Sequence, residues 1–166
     1  LAAAASPLPL LVALLALCRA SSEMPPADGS EARLLLAWRE RWRGTARPDG
    51  RLSTWDAASS PCEDWAGVNC QGGRITEIVL DDERLVGGLP ADWNQLAHLR
   101  KVSLKFNFFK GGLPEEWSEL PELVLVNVAN NDLDGELPAN FTVFPQLQYL
   151  YLMNNKLRGR LPASLG

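Results

Sequence analysis

Three asparagines, Asn107, Asn131 and Asn155, lie 24 residues apart, and the residues around each of them repeat with the same spacing. Apolar residues occupy the positions eight, five and three before each Asn and the position two after it. Gly, Leu and Pro follow at four, six and seven residues after each Asn. A fixed period of this length predicts a stacked array in which each repeat completes the core of its neighbour.

The same pattern begins one period earlier, at residues 75–90, with Glu83 in place of the Asn. We therefore expect residues 75–166 to hold four repeats of 24 residues and the start of a fifth at residues 163–166, where the array is truncated. An amide side chain both donates and accepts hydrogen bonds, so a column of Asn can bridge buried turns of successive repeats. A Glu at this position is tolerable only if it faces a cap or solvent.

Each repeat also carries a strand signature. Alternations such as Val102-Ser103-Leu104 have the period of two that is typical of a β-strand. Strands of neighbouring repeats are expected to pair in a parallel sheet, with apolar residues pointing into the core. Beyond the Pro, aromatic residues recur at one equivalent position and predict a helical turn on the outer side: Trp93, Trp117 and Phe141.

The N-terminal segment is interpreted as a targeting sequence rather than as part of the fold. Residues 8–17 form an apolar run of ten, which is too short to cross a bilayer as a helix. Small residues follow it, as expected at a signal-peptide cleavage site. We assign residues 1–22 to a secretory signal that is incomplete at its N-terminus, and residues 23–30 to a linker. A buried core helix is the alternative, and the prolines on both sides of the run count against it.

The cysteine count agrees with secretion. Of three cysteines, Cys18 would leave with the signal, so Cys62 and Cys70 would remain in an oxidising compartment that favours a disulfide between them. Two reduced cysteines or a metal pair are the alternatives, but zinc would need further Cys or His ligands. No metal site is therefore expected.

An open array exposes a slice of its core at each end, so the first repeat needs a cap with a polar outer surface. Residues 31–74 are placed to form this cap. A helix is predicted over residues 31–43, because apolar residues recur there at helical spacing with charged residues on the other face. The large apolar residues available to seal the core are Leu34, Leu35, Trp38, Trp42, Trp55 and Trp65.

These residues resemble the plant-type leucine-rich-repeat family, with its pattern LxxLxxLxLxxNxLxGxLPxxL. Leu34-Leu35, residues 52–55 and residues 62–70 are similar to the N-terminal cap of that family, apart from one extra residue before Trp65. The resemblance implies an α/β solenoid: a right-handed superhelix with a concave parallel sheet, 3₁₀ or short helical turns outside, and a helical, disulfide-bonded cap. It also implies a secreted or cell-surface protein that binds proteins, peptides or small signalling molecules.

The expected binding surface consists of the strand residues that point away from the core. Tyr149, Tyr151 and Met153 are of the types enriched at protein interfaces. The charged part of this face has an alternative interpretation as solvated ion pairs across neighbouring strands. The candidate ligand-binding residues are Glu77, Asp81, Lys101, Ser103, Lys105, Asn127, Tyr149, Tyr151 and Met153.

Asn140-Phe141-Thr142 is an N-glycosylation sequon. It follows a Leu-Pro pair on the outer side of the array, where a glycan would leave the concave sheet open. Such triplets also occur by chance, so we interpret this one as a glycosylation site only because the chain is expected to be secreted.

Catalytic and cofactor signatures are lacking in this sequence. Asp81-Asp82-Glu83 offers carboxylates for acid–base or cation chemistry, but a solvated strand end is the simpler interpretation. The formal net charge of −4 and the lack of a basic block exclude an extended nucleic-acid surface. We expect no cofactor, no enzymatic activity of these residues, and a protein or peptide ligand, with a co-receptor as a further candidate partner.

Three hypotheses remain: a receptor ectodomain, a secreted inhibitor of an extracellular hydrolase, and the sensor segment of a receptor kinase. Membrane attachment would require a transmembrane helix downstream of Gly166.

Overall fold

The computed structural model describes residues 29–42, 46–142 and 144–160. The predicted signal peptide and the start of the fifth repeat lie outside these residues. The described part consists of one α-helix followed by short β-strands and 3₁₀ turns that alternate along the chain.

The main sheet stacks one strand from each repeat. Its strands, in spatial order, are β1 (Val68–Gln71), β2 (Arg74–Val79), β4 (Lys101–Ser103), β6 (Leu125–Asn127) and β8 (Tyr149–Tyr151). β1 pairs antiparallel with β2, and all later pairs are parallel. Val102 pairs with Val126 and Val126 pairs with Leu150. The 24-residue period of the sequence is therefore the register of this sheet.

A second parallel sheet, which the sequence did not predict, lies after the asparagine turns. Its strands are β3 (Val86–Gly88), β5 (Phe108–Gly111), β7 (Asp132–Glu136) and β9 (Lys156–Arg158). The chain extends again after each Asn, and its backbone N–H and C=O groups need partners there. The neighbouring repeats supply them, as in the pairing of Gly87 with Phe109.

The outer connections contain the predicted short helical turns. They are the 3₁₀ turns Asp92–Gln95, Glu115–Glu119 and Ala139–Thr142. Trp93, Trp117 and Phe141 point from these turns into the core and are almost fully buried. The rings of Trp93 and Trp117 meet edge to face at a centroid distance of 5.5 Å, so the aromatic column joins successive repeats.

The cap closes the first repeat. Its helix α1 is described over Gly29–Trp42, in agreement with a helix predicted over residues 31–43 as far as the described residues reach. Trp38 and Trp42 are buried against the core, and the Trp38 ring lies 4.2 Å from that of Trp93. A disulfide joins Cys62 to Cys70, with 5.3 Å between the Cα atoms.

The Asn column bridges adjacent turns through both ends of each amide. Nδ2 of Asn107 donates to the carbonyl oxygens of Leu80 and Leu104 at 2.8 and 2.9 Å. Its Oδ1 accepts from the backbone N–H groups of Glu83 and Leu85 at 3.1 and 3.0 Å. Asn131 and Asn155 repeat the same kinds of bonds one and two repeats later.

Glu83, which replaces the first Asn, is buried and faces the cap. Its Oε1 accepts from Nη1 of Arg51 at 2.8 Å, and its Oε2 accepts from the Arg51 backbone N–H at 3.0 Å. Arg51 begins the cap's own 3₁₀ turn, Arg51–Thr54. The carboxylate therefore ends the column against the cap rather than in solvent.

Candidate functional site

The exposed side of the main sheet places the candidate residues in rows that run across the strands. One row follows the pairing of Glu77 with Lys101, then Leu125, then Tyr149. A second row continues through the pairing of Asn127 with Tyr151. The rows are charged near the cap and become apolar and aromatic along the array.

The charged half of this face is internally paired. Nζ of Lys101 lies 3.5 Å from Oε2 of Glu77, and Nζ of Lys105 lies 3.7 Å from Oδ2 of Asp81. These side chains are 21–40% exposed, and such pairs contribute little to stability. The distances favour the alternative interpretation, in which these charges are solvated partners of one another.

Ser103 differs from its expected place on the open face. It is only 5% exposed, and its Oγ donates to Oδ1 of Asp81 at 2.6 Å. The same carboxylate oxygen accepts from the Lys105 backbone N–H at 3.2 Å. Asp81 thus covers Ser103, which is buried beneath it rather than exposed on the open face.

The apolar half remains open. Tyr149, Tyr151 and Met153 are 49%, 38% and 58% exposed. Leu125 lies beside Tyr149, and Asn127 lies beside Tyr151 on the neighbouring strand. We call these five residues the tyrosine surface. Within the described residues, the Asn127 side chain uses only its carbonyl oxygen, which accepts from the Ala129 N–H at 3.1 Å, so its amide N–H groups have no partner there.

Two further exposed aromatic residues, Phe106 and Phe108, were missed by the sequence reasoning. They flank the buried Asn107 and are 53% and 50% exposed. Phe108 begins β5, which lies between β3 and β7 in the second sheet. By contrast, β8, which carries Tyr149 and Tyr151, has a neighbour on one side only among the described strands. A signal existed in the sequence, because the other repeats hold polar or charged residues at both flanking positions.

The other polar cluster joins two outer connections. Nδ1 of His98 lies 2.9 Å from Oε1 of Glu122, and Arg100 donates to Oε2 of Glu122 at 2.8 Å. The hydrogen bonds from Arg100 and then from His98 lower the pKa of the Glu122 carboxyl below its ordinary value. His98 is half-buried, and its contact with Glu122 joins two neighbouring repeats.

The acidic run Asp81-Asp82-Glu83 is also occupied by its own neighbours. Arg47 donates to Asp82, and Arg51 pairs with Glu83. Over residues 29–42, 46–142 and 144–160 there is no group of three or more Cys, His, Asp or Glu that could hold a metal ion. None of the helices in those ranges is long and apolar enough to span a bilayer.

Asn140 of the sequon lies half-buried in the last 3₁₀ turn. Its Nδ2 donates to the carbonyl oxygen of Glu115 in the preceding repeat at 3.1 Å. Its Oδ1 is buried without a partner among the described residues. The side chain that would carry a glycan is therefore also part of a contact between repeats.

Two family models match this chain. The leucine rich repeat N-terminal domain covers residues 28–71, and the leucine rich repeat covers residues 146–166. The first match contains helix α1, the loop that carries Trp55 and Trp65, and both disulfide cysteines.

The similar curated proteins are receptor kinases of plants. A probable leucine-rich repeat receptor-like protein kinase of Arabidopsis thaliana is 40% identical over 63 residues, which are 38% of this chain and 9% of that protein. The brassinosteroid LRR receptor kinase BRL3 of Oryza sativa is 36% identical over 102 residues, or 59% and 8%. The matched segments thus span less than a tenth of the length of these relatives.

Solved plant receptors share the fold. The structure of PEPR1 with AtPEP1 aligns with a TM-score of 0.73 at 26% identity, covering 82% of this chain and 19% of that one. The Arabidopsis receptor kinase HAESA, in complex with the peptide hormone IDA and the co-receptor SERK1, aligns with a TM-score of 0.57 at 26% identity, over 81% and 27%.

The parallel sheets, the N-terminal cap and the matches to solved structures together identify a capped solenoid of parallel strands. The chain has the fold of the leucine-rich-repeat structures that it matches, and its residues 28–71 match the leucine rich repeat N-terminal domain. The predictions of this fold and of an extracellular domain are confirmed.

Proposed function

We propose that this chain is the N-terminal, ligand-recognising part of the ectodomain of a plant cell-surface receptor. Its ligand is a protein or peptide, and a co-receptor is the second partner. The relatives are receptor kinases, and HAESA was solved with a peptide hormone and a co-receptor. In this proposal residues 31–74 are the cap and residues 75–166 present the binding face.

The tyrosine surface is the observation that carries the proposal. Tyr149, Tyr151 and Met153 expose large side chains on the open side of the sheet, where a chain optimised only for solubility would place charges. Tyr offers apolar area together with a hydroxyl group, which suits a protein or peptide partner. The charged residues near the cap are paired with one another and contribute less to the proposed site.

A secreted inhibitor of an extracellular hydrolase is the second candidate, because it would use the same kind of open face. The sequence that follows Gly166 in the gene separates the candidates. An apolar stretch of about 20 residues favours a receptor, and kinase motifs beyond it make this segment a kinase sensor. A closing cap followed by a stop codon would favour the inhibitor and contradict the receptor proposal.

The binding face is tested by selecting displayed random peptides on the immobilised, secreted chain. We expect selected peptides to lose about tenfold or more in affinity for a Tyr149→Ala/Tyr151→Ala variant, because truncating buried aromatic anchors costs 1–2 kcal/mol or more each. Phe108→Ala is the matched control, since it removes an equally exposed aromatic ring away from this face. Equal binding to the double variant and to the wild type would contradict the placement of the site.

The glycosylation proposal at Asn140 has its own test. A glycan is expected on the secreted protein and absent from Asn140→Gln, as measured by intact mass. The hydrogen bond to Glu115 uses one of the two N–H groups of Nδ2, and a glycosylated amide retains one N–H. An unmodified wild-type protein secreted from plant cells would contradict this assignment.

A further inference from the structure

The tyrosine surface is neutral as well as apolar, since none of its five residues carries a formal charge. The nearest charged residue in the row of Tyr149 is Lys101, which lies beside Leu125 and 3.5 Å from the carboxylate of Glu77. A charged side chain of a ligand would lose its hydration on this face and would meet no free counter-ion among the described residues. The surface therefore complements an uncharged ligand.

The polar groups of this surface are mainly hydrogen-bond donors. Oδ1 of Asn127 already accepts from the Ala129 N–H, whereas its amide N–H groups have no partner among the described residues. The hydroxyl groups of Tyr149 and Tyr151 also lack a partner within those residues, and each can donate one O–H. A strand of ordinary residues would present as many N–H as C=O groups, and only the two phenol oxygens could accept from them. Prolines present carbonyl oxygens and no N–H, so a proline segment matches this set of donors.

The spacing of the exposed side chains suits a polyproline II helix. Tyr149 and Tyr151 are two residues apart on β8, so they are about 6.6 Å apart along the strand. Polyproline II has three residues per turn, so two of its three side-chain rows face a flat surface, and residues i and i+2 of these rows are about 6.2 Å apart along its axis. Successive pyrrolidine rings can therefore lie on successive tyrosine rings, and the exposed Met153 continues the same line.

The conformation of such a ligand also favours binding. A proline-rich segment is already extended in solution, so it loses less conformational entropy on binding than a flexible peptide does. Aromatic-lined grooves of other peptide-recognition domains use this property to bind proline-rich segments. The tyrosine surface offers the same combination of exposed aromatic rings and side-chain donors.

We propose that the tyrosine surface binds a proline-rich segment of a protein or peptide in the polyproline II conformation. Prolines of the ligand pack on Tyr149 and Tyr151, and a peptide carbonyl oxygen accepts from Nδ2 of Asn127. This inference rests on the proposed function, because it names the chemistry of the ligand at the same face.

Amide NMR of the secreted chain tests the proposal with N-acetylated nonaproline amide as the probe. We expect saturable shifts at Asn127, Tyr149 and Tyr151, with half-saturation on the order of 0.1–1 mM. The affinity should change less than about twofold between about 0.05 and 0.5 M salt, because the face and the probe are neutral. Two neutral peptides of the same length, one of alternating Leu and Ser and one of alternating Gly and Ser, should bind at least about fivefold more weakly. Absence of saturable shifts with nonaproline, or equal binding of the Leu–Ser peptide, would overturn the proposal.

Two pairs of variants test the contacts separately. Asn127→Asp keeps the acceptor and replaces the amide donors with a carboxylate, so it should weaken nonaproline binding about fivefold or more. Asn94→Asp adds the same charge on an outer turn and should change the affinity less than about twofold. Tyr149→Ala/Tyr151→Ala should weaken binding about tenfold or more, whereas Phe108→Ala should not. Equal losses within either pair would overturn the contacts assigned to this surface.

The peptides selected on the immobilised chain distinguish this inference from the proposed function. Selected peptides that depend on Tyr149 and Tyr151 and are rich in proline would support both. Selected peptides that depend on the two tyrosines but lack proline, together with no binding of nonaproline, would overturn this inference and leave the proposed function intact. Selected peptides that bind the double variant as well as the wild type would contradict the placement of both.

Discussion

Asn131 joins two repeats through a neutral amide, whereas Glu83 joins the first repeat to the cap through a carboxylate. Asn131 donates to the carbonyl oxygens of Leu104 and Val128 and accepts from the N–H of Phe109. Glu83 accepts from Arg51 at both of its oxygens. The two side chains occupy the same position of the repeat and are both buried, so the difference lies in what they face.

The donor and acceptor inventories explain this difference. An amide both donates and accepts, so it extends a column in both directions, whereas a carboxylate only accepts and an arginine only donates. A carboxylate paired with an arginine therefore ends the column. Gly50 makes room for this pair, because a Cβ at that position would collide with the Glu83 carboxylate. The comparison predicts that the stability of the cap depends on charged contacts. It also predicts that the stability of the contacts between repeats depends on the geometry of the buried amides.

Removal of the carboxylate of Glu31 should have the largest effect. Glu31 is buried on α1 and accepts from Nε and Nη2 of Arg74 and from the backbone N–H of Ile75. We expect Glu31→Ala to lower the free energy of unfolding by about 3 kcal/mol, the low end for a broken buried pair, because the Arg74 side chain is 25% exposed and can reach water. Urea unfolding measures this change.

Glu40→Ala is the control on the same helix. Its side chain is 59% exposed and lies 3.7 Å from Arg39, so we expect a loss below about 0.5 kcal/mol. Similar losses for the two variants would show that charge does not hold the cap.

Asn131→Ala tests the repeat side of the comparison. The substitution leaves the N–H of Phe109 without its side-chain partner. It also removes one of the two amide donors from each of the carbonyl oxygens of Leu104 and Val128. We expect a loss of about 1–3 kcal/mol in the free energy of unfolding. Asn94→Ala is the control, because Asn94 is exposed and its side chain bonds to Glu119 alone among the residues that the structure describes, at 2.7 Å. An equal loss there would argue against the column as a stabilising element.

Tryptophan side chains of the cap and of the repeats also differ in whether their indole N–H has a hydrogen-bond partner. In the cap, Nε1 of Trp38 donates to Oδ1 of Asp92 at 2.8 Å. In the repeats, the indole nitrogens of Trp93 and Trp117 are buried without a partner among the described residues. Trp38→Phe should therefore cost about 1 kcal/mol more than Trp93→Phe, as measured by thermal or urea unfolding. A larger loss for Trp93→Phe would reverse the comparison.

The sequence predicted the parts of this molecule that depend on period and residue type. The 24-residue spacing gave the register of Val102 with Val126, and the Asn column followed from the two-sided chemistry of amides. The second sheet was missed because strands such as Val86–Gly88 contain glycines and lack an alternating pattern. Its pairing depends on the stacking of repeats rather than on local propensity.

Details of the surface depend on side-chain directions that a one-dimensional pattern does not contain. The period of two places Ser103 on the open face, but Asp81 from the neighbouring strand covers it. The pairing of Arg51 with Glu83 joins residues that are 32 positions apart. Phe106 and Phe108 lie beside the Asn rather than on the predicted strand, so the strand periodicity did not point to these two exposed residues.

The smallest expected effect is the pH dependence of the contact between Glu122, Arg100 and His98. The bonds from Arg100 and His98 favour the charged carboxylate and lower the pKa of Glu122 below its ordinary value of 4.5. The contribution of a lowered pKa is complete above the ordinary value and is lost as the pH falls through the folded-state pKa. We expect the Tm advantage of the wild type over Glu122→Gln to be small at pH 6 and to shrink as the pH falls below 4.5. The exposed Glu63, substituted to Gln, should give a difference in Tm that changes less over this range. An advantage that grows on acidification would show that Glu122 stabilises the join in its protonated form.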